Sequence, residues 1–147
     1  MHGNQLHHDP QGMQHEHQLL RKVVQEIGTA LAERPSRDSL VADLLEDLCG
    51  HMLAHFDHEE SDGHFSEIVQ KAPWLTDRVD NLRVEHDRFR ERLDAMSRFA
   101  QEGDGSEAWR CEMEDQFCEF TRVFLIHEEA ENRLFQEAFS QDIGTGD

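Results

Sequence analysis

The chain has 147 residues, of which 31% are charged, and its formal net charge is −18. This length suits one domain with a single core, and the negative charge excludes nucleic acids and anionic membranes as partners because their phosphates would be repelled. No stretch approaches the roughly 20 apolar residues that span a bilayer, and the N-terminus lacks the apolar segment of a signal peptide. We therefore expect a soluble, cytoplasmic protein, whose oligomeric state the sequence leaves open.

The chain is predicted to be all-α, because tyrosine is absent and β-branched residues do not cluster. Residues 1–12 are polar and lack periodicity, so we expect a flexible tail. The first helix is predicted over Met13–Glu33 and would end at Arg34-Pro35. His17 lies one turn before its apolar stripe, which consists of Leu20, Val24, Ile27 and Leu31.

The second helix is predicted to begin near Ser36–Ser39, which supply candidate caps, and to continue through His55 to Glu59. Its apolar stripe consists of Val41, Leu44, Leu45, Leu48 and Met52. Gly63 interrupts this pattern. A short helical extension before Pro73 is expected to carry Phe65, Ile68 and Val69.

The third helix is predicted from a candidate cap at Thr76 to about Ala100, with His86 on its apolar face. That face also carries Val79, Leu82, Phe89, Leu93 and Met96. Gly103-Asp104-Gly105 ends it, and Ser106 is a candidate cap for the next helix.

The fourth helix places His127 and Glu131 on an apolar face that also carries Phe117, Phe120, Phe124, Leu134 and Ala138. Four helices with short connections predict an up-down-up-down antiparallel four-helix bundle over residues 13–140. Residues 141–147 are expected to form a C-terminal tail.

The two halves of the chain repeat the same short patterns. Glu16-His17 recurs as Glu85-His86 after 69 residues, and His55-x-x-x-Glu59 recurs as His127-x-x-x-Glu131 after 72 residues. A repeated helical hairpin would produce this relation, and it suggests pseudo-two-fold symmetry.

These patterns predict a metal site inside the bundle. Residues four apart lie on one helix face, so two facing hairpins would supply four imidazoles and two carboxylates, namely His17, His55, Glu59, His86, His127 and Glu131. Taken singly, each histidine is more simply a packed core residue. Taken together, buried carboxylates and imidazoles need compensation that a metal ion provides, and mixed nitrogen and oxygen donors suit iron or manganese.

Neighbouring polar residues leave several alternatives open. His51 is a possible further ligand or supports one, while His58 is expected at the periphery. His15 falls off the apolar stripe, and His64 is expected to be a structural loop residue. Three carboxylates are expected to face solvent or to orient an imidazole, namely Glu60, Glu128 and Glu129. The three cysteines form no Cys-x-x-Cys motif and are expected to be reduced, packed thiols, namely Cys49, Cys111 and Cys118.

The chain resembles the hemerythrin-like (HHE cation-binding) family over about Met13–Phe139. The resemblance rests on four short pieces, which are Glu16-His17, His55-Phe56-x-x-Glu59-Glu60, Glu85-His86 and His127-Glu128-x-x-Glu131-Asn132. It implies a non-haem centre of two irons joined by an oxo or hydroxo bridge. The terminal ligands would be His17, His55, His86 and His127, and the bridging carboxylates would be Glu59 and Glu131.

The sequence departs from the oxygen-carrying members of that family at two places. Their third helix carries His-x-x-x-His, and Arg90 stands at the second of these positions here. A guanidinium cannot bind a metal, so the site has an open position, or His51 or a carboxylate completes it, or Arg90 simply pairs with an acidic residue. In the fourth helix, three residues precede the carboxylate where the carriers have four.

The leading functional hypothesis is therefore a di-iron protein that binds or reacts with oxygen, nitric oxide or hydrogen peroxide, as a sensor, scavenger or carrier. The alternatives are iron or zinc binding or storage without redox turnover, a peroxide-dismutating di-iron enzyme, and a metal-free interaction bundle. A ferritin-like oxidase is disfavoured because no Glu-x-x-His occurs.

Overall fold

The structure is a computed structural model that describes residues 10–33 and 38–145, with side chains at 14–33 and 38–140. Its helices are α1 (Pro10–Ala32), α2 (Asp38–Glu60), α3 (His64–Lys71), α4 (Thr76–Glu102) and α5 (Glu107–Thr145), and a 3₁₀ turn (Pro73–Leu75) precedes α4. No strand occurs in these residues, which confirms the all-α prediction for the described part of the chain. None of the described helices is long and apolar enough to cross a membrane.

The first and last helices of the chain are longer than the sequence pattern indicated. α1 begins at Pro10, where a proline is favourable because the first helical position needs no hydrogen-bonded N–H. α5 continues past the expected boundary at residue 140 to Thr145. Most of the predicted N-terminal tail and the predicted break at Arg34-Pro35 lie outside the described residues.

Local signals position the helix ends around the core. The backbone N–H of Trp109 donates to the Ser106 hydroxyl at 3.1 Å, so Ser106 caps α5 as predicted. Thr76 does not cap α4, because it is already helical and its hydroxyl donates to the Pro73 carbonyl at 2.7 Å. Gly63 has a φ of 95°, which a left-handed turn between α2 and α3 requires.

The four long helices contact one another in a closed order. α1 packs against α2 and α5, and α4 packs against the same two helices. The short helix α3 is the predicted extension after Gly63, and it packs across α2, α4 and α5. This arrangement gives every long helix two neighbours along its apolar face.

Two apolar clusters fill the interior, and the candidate site lies between them along the helices. On α5, Phe124 belongs to the larger cluster and Leu134 to the smaller, and His127 lies between them. On α4, Phe89 and Leu82 bracket His86 in the same way. The smaller cluster is built around α3, so this short helix covers one end of the site.

The cysteines form no disulfide in the structure. Cys49 is half-buried against the larger apolar cluster, as expected. Cys111 and Cys118 are exposed, so the expectation of packed thiols is wrong for these two. They lie on the solvent face of α5, opposite the side that buries Met113 and Phe117.

Candidate metal centre

The six predicted site residues are brought together by α1, α2, α4 and α5. All six are buried, with at most 4% of each residue exposed. Their ligand atoms form two compact groups in which all atoms lie within 4.8 Å of one another. One group consists of His17, His55, Glu59 and Glu131, and the other consists of His86, His127 and Glu131.

Glu131 belongs to both groups through its two carboxylate oxygens. Its Oε1 lies 3.2 Å from Nε2 of His17 and 3.6 Å from Nε2 of His55. Its Oε2 lies 3.0 Å from Nε2 of His127 and 3.3 Å from Nε2 of His86. One carboxylate therefore spans two pairs of imidazoles.

Glu59 of α2 contacts one imidazole of each pair. Its Oε2 lies 3.3 Å from Nε2 of His55, and its Oε1 lies 3.1 Å from Nε2 of His86. Both oxygens are buried, and neither is aligned in a hydrogen bond with any described residue. A buried carboxylate without such partners is costly. The donor set therefore fits a cation, which would supply the missing interactions at both oxygens.

Three imidazoles form a hydrogen bond to a carboxylate through Nδ1, the ring nitrogen that faces away from the centre. Nδ1 of His55 donates to Glu16 at 2.5 Å, Nδ1 of His86 to Glu60 at 2.5 Å, and Nδ1 of His127 to Glu85 at 2.6 Å. A proton on Nδ1 leaves the Nε2 lone pair of a neutral imidazole facing the centre, as metal ligation requires.

The sequence predicted these supporting carboxylates in part. Glu60 orients an imidazole, which was one of its two expected roles, whereas Glu129 is exposed and pairs with Arg133 at 3.4 Å. The roles of Glu16 and Glu85 were missed. The repeated Glu-His pair was the available signal, because each glutamate directly precedes a site histidine but contacts the histidine of the next helix.

His17 is held differently from the other three imidazoles. Its Nδ1 lies 3.9 Å from Oε2 of Glu128, and neither atom has a hydrogen-bond partner in the described structure. The other oxygen of Glu128 accepts a hydrogen bond from Nε of Arg21 at 2.7 Å. Glu128 is 1% exposed, so it does not face solvent, and it forms no hydrogen bond with His17.

Charge on the carboxylates dominates the electrostatics of the centre. Burial lowers the pKa of each held imidazole, but the neighbouring carboxylates outweigh it and raise the pKa of His55 to about 12, of His86 to about 9 and of His127 to about 10. Burial also raises the pKa of Glu131, but hydrogen bonds from the imidazoles hold that pKa well below its usual value. Burial and the charge on Glu131 raise the pKa of Glu59.

Arg90 lies outside both ligand groups. It donates to Asp87 at 2.7 Å and lies 3.4 Å from both oxygens of Glu60, and its guanidinium sits 5.3 Å from the centre of the Phe56 ring. Arg90 therefore pairs with acidic residues outside the ligand groups, as one of the expectations for this position had it. His51 is exposed and belongs to neither group.

The remaining histidines lie around the centre rather than in it. His58 is exposed, and its Nδ1 donates to Glu16 at 2.7 Å, in keeping with a peripheral position. His15 is exposed on α1. His64 is the first residue of α3 rather than a loop residue, and its ring packs 5.4 Å from that of Phe135.

Aromatic rings line the α4 side of the centre. The Phe56 ring stacks on His86 with 3.9 Å between centroids, and Phe65 stacks on the same imidazole at 5.5 Å. The Phe89 ring meets His127 edge-on at 5.0 Å. These rings keep water from the imidazoles and fix their planes, which strengthens electrostatic interactions in the site.

The buried cluster of histidine and glutamate side chains can therefore hold a metal ion. Nitrogen and oxygen donors of this kind are suited to first-row transition metals. Comparisons of the chain with protein-family models, with curated proteins and with solved structures find no match.

Proposed function

We propose that the chain is a hemerythrin-like di-iron protein that binds or reacts with a small oxidant or diatomic molecule, namely oxygen, nitric oxide or hydrogen peroxide. It would act in the cytoplasm as a sensor, scavenger or carrier. The closed order of contacts among α1, α2, α4 and α5 supports the antiparallel up-down-up-down bundle that this family has.

The double contact of Glu131 is the observation that carries this proposal. Its two oxygens contact different pairs of imidazoles, and the two oxygens of Glu59 contact one imidazole of each pair. A carboxylate bridge between two cations needs this geometry, whereas a single ion would need the donors to converge on one point. Each iron would receive two imidazoles and one oxygen from each carboxylate.

Four protein donors leave an iron with coordination positions for a small molecule. When bound, the iron pair would supply redox chemistry that the side chains alone lack. The chain's own residues would orient the imidazoles through Glu16, Glu60 and Glu85, and would exclude water with aromatic rings. Arg90 would stay outside, bound to Glu60 and Asp87.

A surface groove next to the centre offers a small molecule a route to His55. A groove of about 170 Å³ reaches His55 and is lined by Glu16, His51 and His58, among others. This volume admits a diatomic molecule or peroxide.

Optical spectroscopy of the iron-loaded protein tests the proposal. We expect charge-transfer bands of a bridged di-iron centre, and changes in them when oxygen, peroxide or nitric oxide is added. Oxygen release from added peroxide would identify the peroxide-dismutating alternative. Stable iron or zinc binding with no spectral response to any of the three molecules would contradict the proposal and favour metal storage.

A further inference from the structure

The four imidazoles of the centre differ in whether Nδ1 forms a hydrogen bond to a carboxylate. Three have Nδ1 within 2.5–2.6 Å of a carboxylate oxygen, whereas Nδ1 of His17 is 3.9 Å from Glu128. A separation of 3.9 Å is too long for a hydrogen bond. Both atoms are buried and lack a hydrogen-bond partner in the part of the chain that the structure describes. Buried polar atoms of this kind are rare and require a reason.

Arg21 supplies that reason. Its Nε donates to Oε1 of Glu128 at 2.7 Å, and its side chain is 50% exposed while that of Glu128 is 1% exposed. The ion pair holds Oε1 of the buried Glu128 carboxylate next to the half-exposed side chain of Arg21. Because the two oxygens move together, the second oxygen stays short of His17. Arg21 and His17 therefore compete for the same carboxylate.

Resting on the proposed di-iron function, we propose that His17 is the exchangeable ligand of the centre, and that the Arg21–Glu128 ion pair keeps it exchangeable. Arg21 and Glu128 act as positioning residues, since neither belongs to the ligand groups. The group with His17 and His55 then retains its metal less tightly than the group with His86 and His127, where both imidazoles are held.

The expected difference follows from the missing contact. Loss of a carboxylate that holds a ligating imidazole lowers metal affinity about 10–100-fold. The two metals should consequently leave the protein at different rates, and the faster one should leave from the side that His17 faces.

The test follows iron release from the full chain. The protein is loaded with two iron(II) ions without oxygen and mixed with an excess of a coloured iron(II) chelator. We expect two phases of equal amplitude, with the fast phase at least about 10-fold faster than the slow one. His17→Ala should remove the fast phase and leave one iron that is released slowly.

Arg21→Met tests the role of the ion pair. Without the guanidinium, buried Glu128 needs a new donor, and Nδ1–H of His17 is close by at 3.9 Å. We expect this contact to form and the fast phase to slow toward the slow one. Thermal melts accompany each variant to show that it is folded.

Arg78→Met is the matched control. Arg78 is 44% exposed, and its NH1 donates to Glu137 of α5 at 2.8 Å, much as Arg21 of α1 donates to Glu128 of α5. Glu137 is not part of either ligand group. This variant should leave both release phases unchanged.

The outcomes separate this inference from the function on which it rests. Two irons that leave the wild-type protein at one rate would overturn the inference alone, as would a fast phase that folded Arg21→Met leaves unchanged. If Arg21→Met does not fold, the wild-type phases and the His17→Ala amplitude decide the question. A wild-type chain that retains fewer than two irons contradicts the proposed function itself.

Discussion

Nδ1 of His127 donates a hydrogen bond to Glu85 at 2.6 Å and so joins α5 to α4 behind the candidate metal centre. The same relation joins His55 of α2 to Glu16 of α1 at 2.5 Å. In each helical hairpin, the glutamate that directly precedes the site histidine of the first helix orients the site histidine of the second helix. The repeat in the sequence is thus also a repeat of interactions, and it turns Nε2 of both histidines toward Glu131.

Removal of the Glu85 carboxylate should weaken metal binding without unfolding the protein. Glu85→Ala frees the imidazole of His127 to rotate and lowers its basicity, so we expect metal affinity to fall about 10–100-fold. Competition with a chelator of known affinity measures the change.

Glu137→Ala is the control for this variant, because the side chains of Glu85 and Glu137 are similarly exposed, at 41% and 43%. Glu137 contacts Arg78 and belongs to neither ligand group. An affinity that is the same in both variants would show that Glu85 does not support a ligand.

Metal binding should release protons. The pKa values of His86, His127 and His55 are raised to about 9, about 10 and about 12, so all three imidazoles carry a second proton at pH 7 in the metal-free protein. Ligation requires neutral imidazole, so we expect the release of about three protons per chain. Calorimetry in buffers of different ionisation enthalpy counts them, and a heat of binding that is independent of the buffer would refute this prediction.

The metal-free protein should lose stability at alkaline pH. Because the folded pKa of His86 lies above the ordinary value of 6.5, its contribution to stability is fully present below pH 6.5 and is lost as the pH rises through about 9. His127 adds a further loss near pH 10. We expect the melting temperature to fall by at least about 2 °C between pH 7 and pH 10.

The metal-loaded protein provides the comparison for this pH series. Its imidazoles are already neutral, so the same protons are absent and its melting temperature should change less over that interval. A metal-free protein that becomes more stable between pH 7 and pH 10 would contradict the assignment of charged imidazoles.

Gly103 should tolerate no side chain. A Cβ added there would overlap Nε1 of Trp109, whose indole N–H donates to the Phe99 carbonyl at 3.0 Å. Gly103→Ala must displace this buried ring, and we expect a loss of about 1–3 kcal/mol in the free energy of unfolding. Denaturant unfolding measures it.

Gly50→Ala is the counterpart in α2, where an added Cβ meets nothing within 4 Å. In the middle of a helix this change should stabilise the protein by about 0.5–1 kcal/mol. Equal effects of the two substitutions would mean that the contact with Trp109 is absent.

The sequence predicted most of the helical segments and the inward position of the six central residues because both depend on periodicity. A histidine and a glutamate four residues apart share one helix face, and the apolar stripes show which face is buried. His55 and Glu59 therefore point inward together, as do His127 and Glu131.

Contacts between helices were harder to predict. Whether Glu85 faces solvent or His127 depends on how α4 and α5 are rotated against each other, which no single helix encodes. Arg90 illustrates the same limit, because its sequence position suggested a missing ligand, whereas its long side chain reaches Glu60 outside the centre. The exposed positions of Cys111 and Cys118 were missed because a cysteine fits either face of a helix.

The number of irons bound per chain, measured after unbound metal is removed, shows whether the six side chains hold two metal ions. We expect two irons per wild-type chain, and loss of both in Glu131→Ala because Glu131 contacts both pairs of imidazoles. Thermal melts of the metal-free variant confirm that it is folded. A wild-type chain that retains fewer than two irons, or a folded Glu131→Ala variant that still retains two, would contradict the proposed di-iron centre.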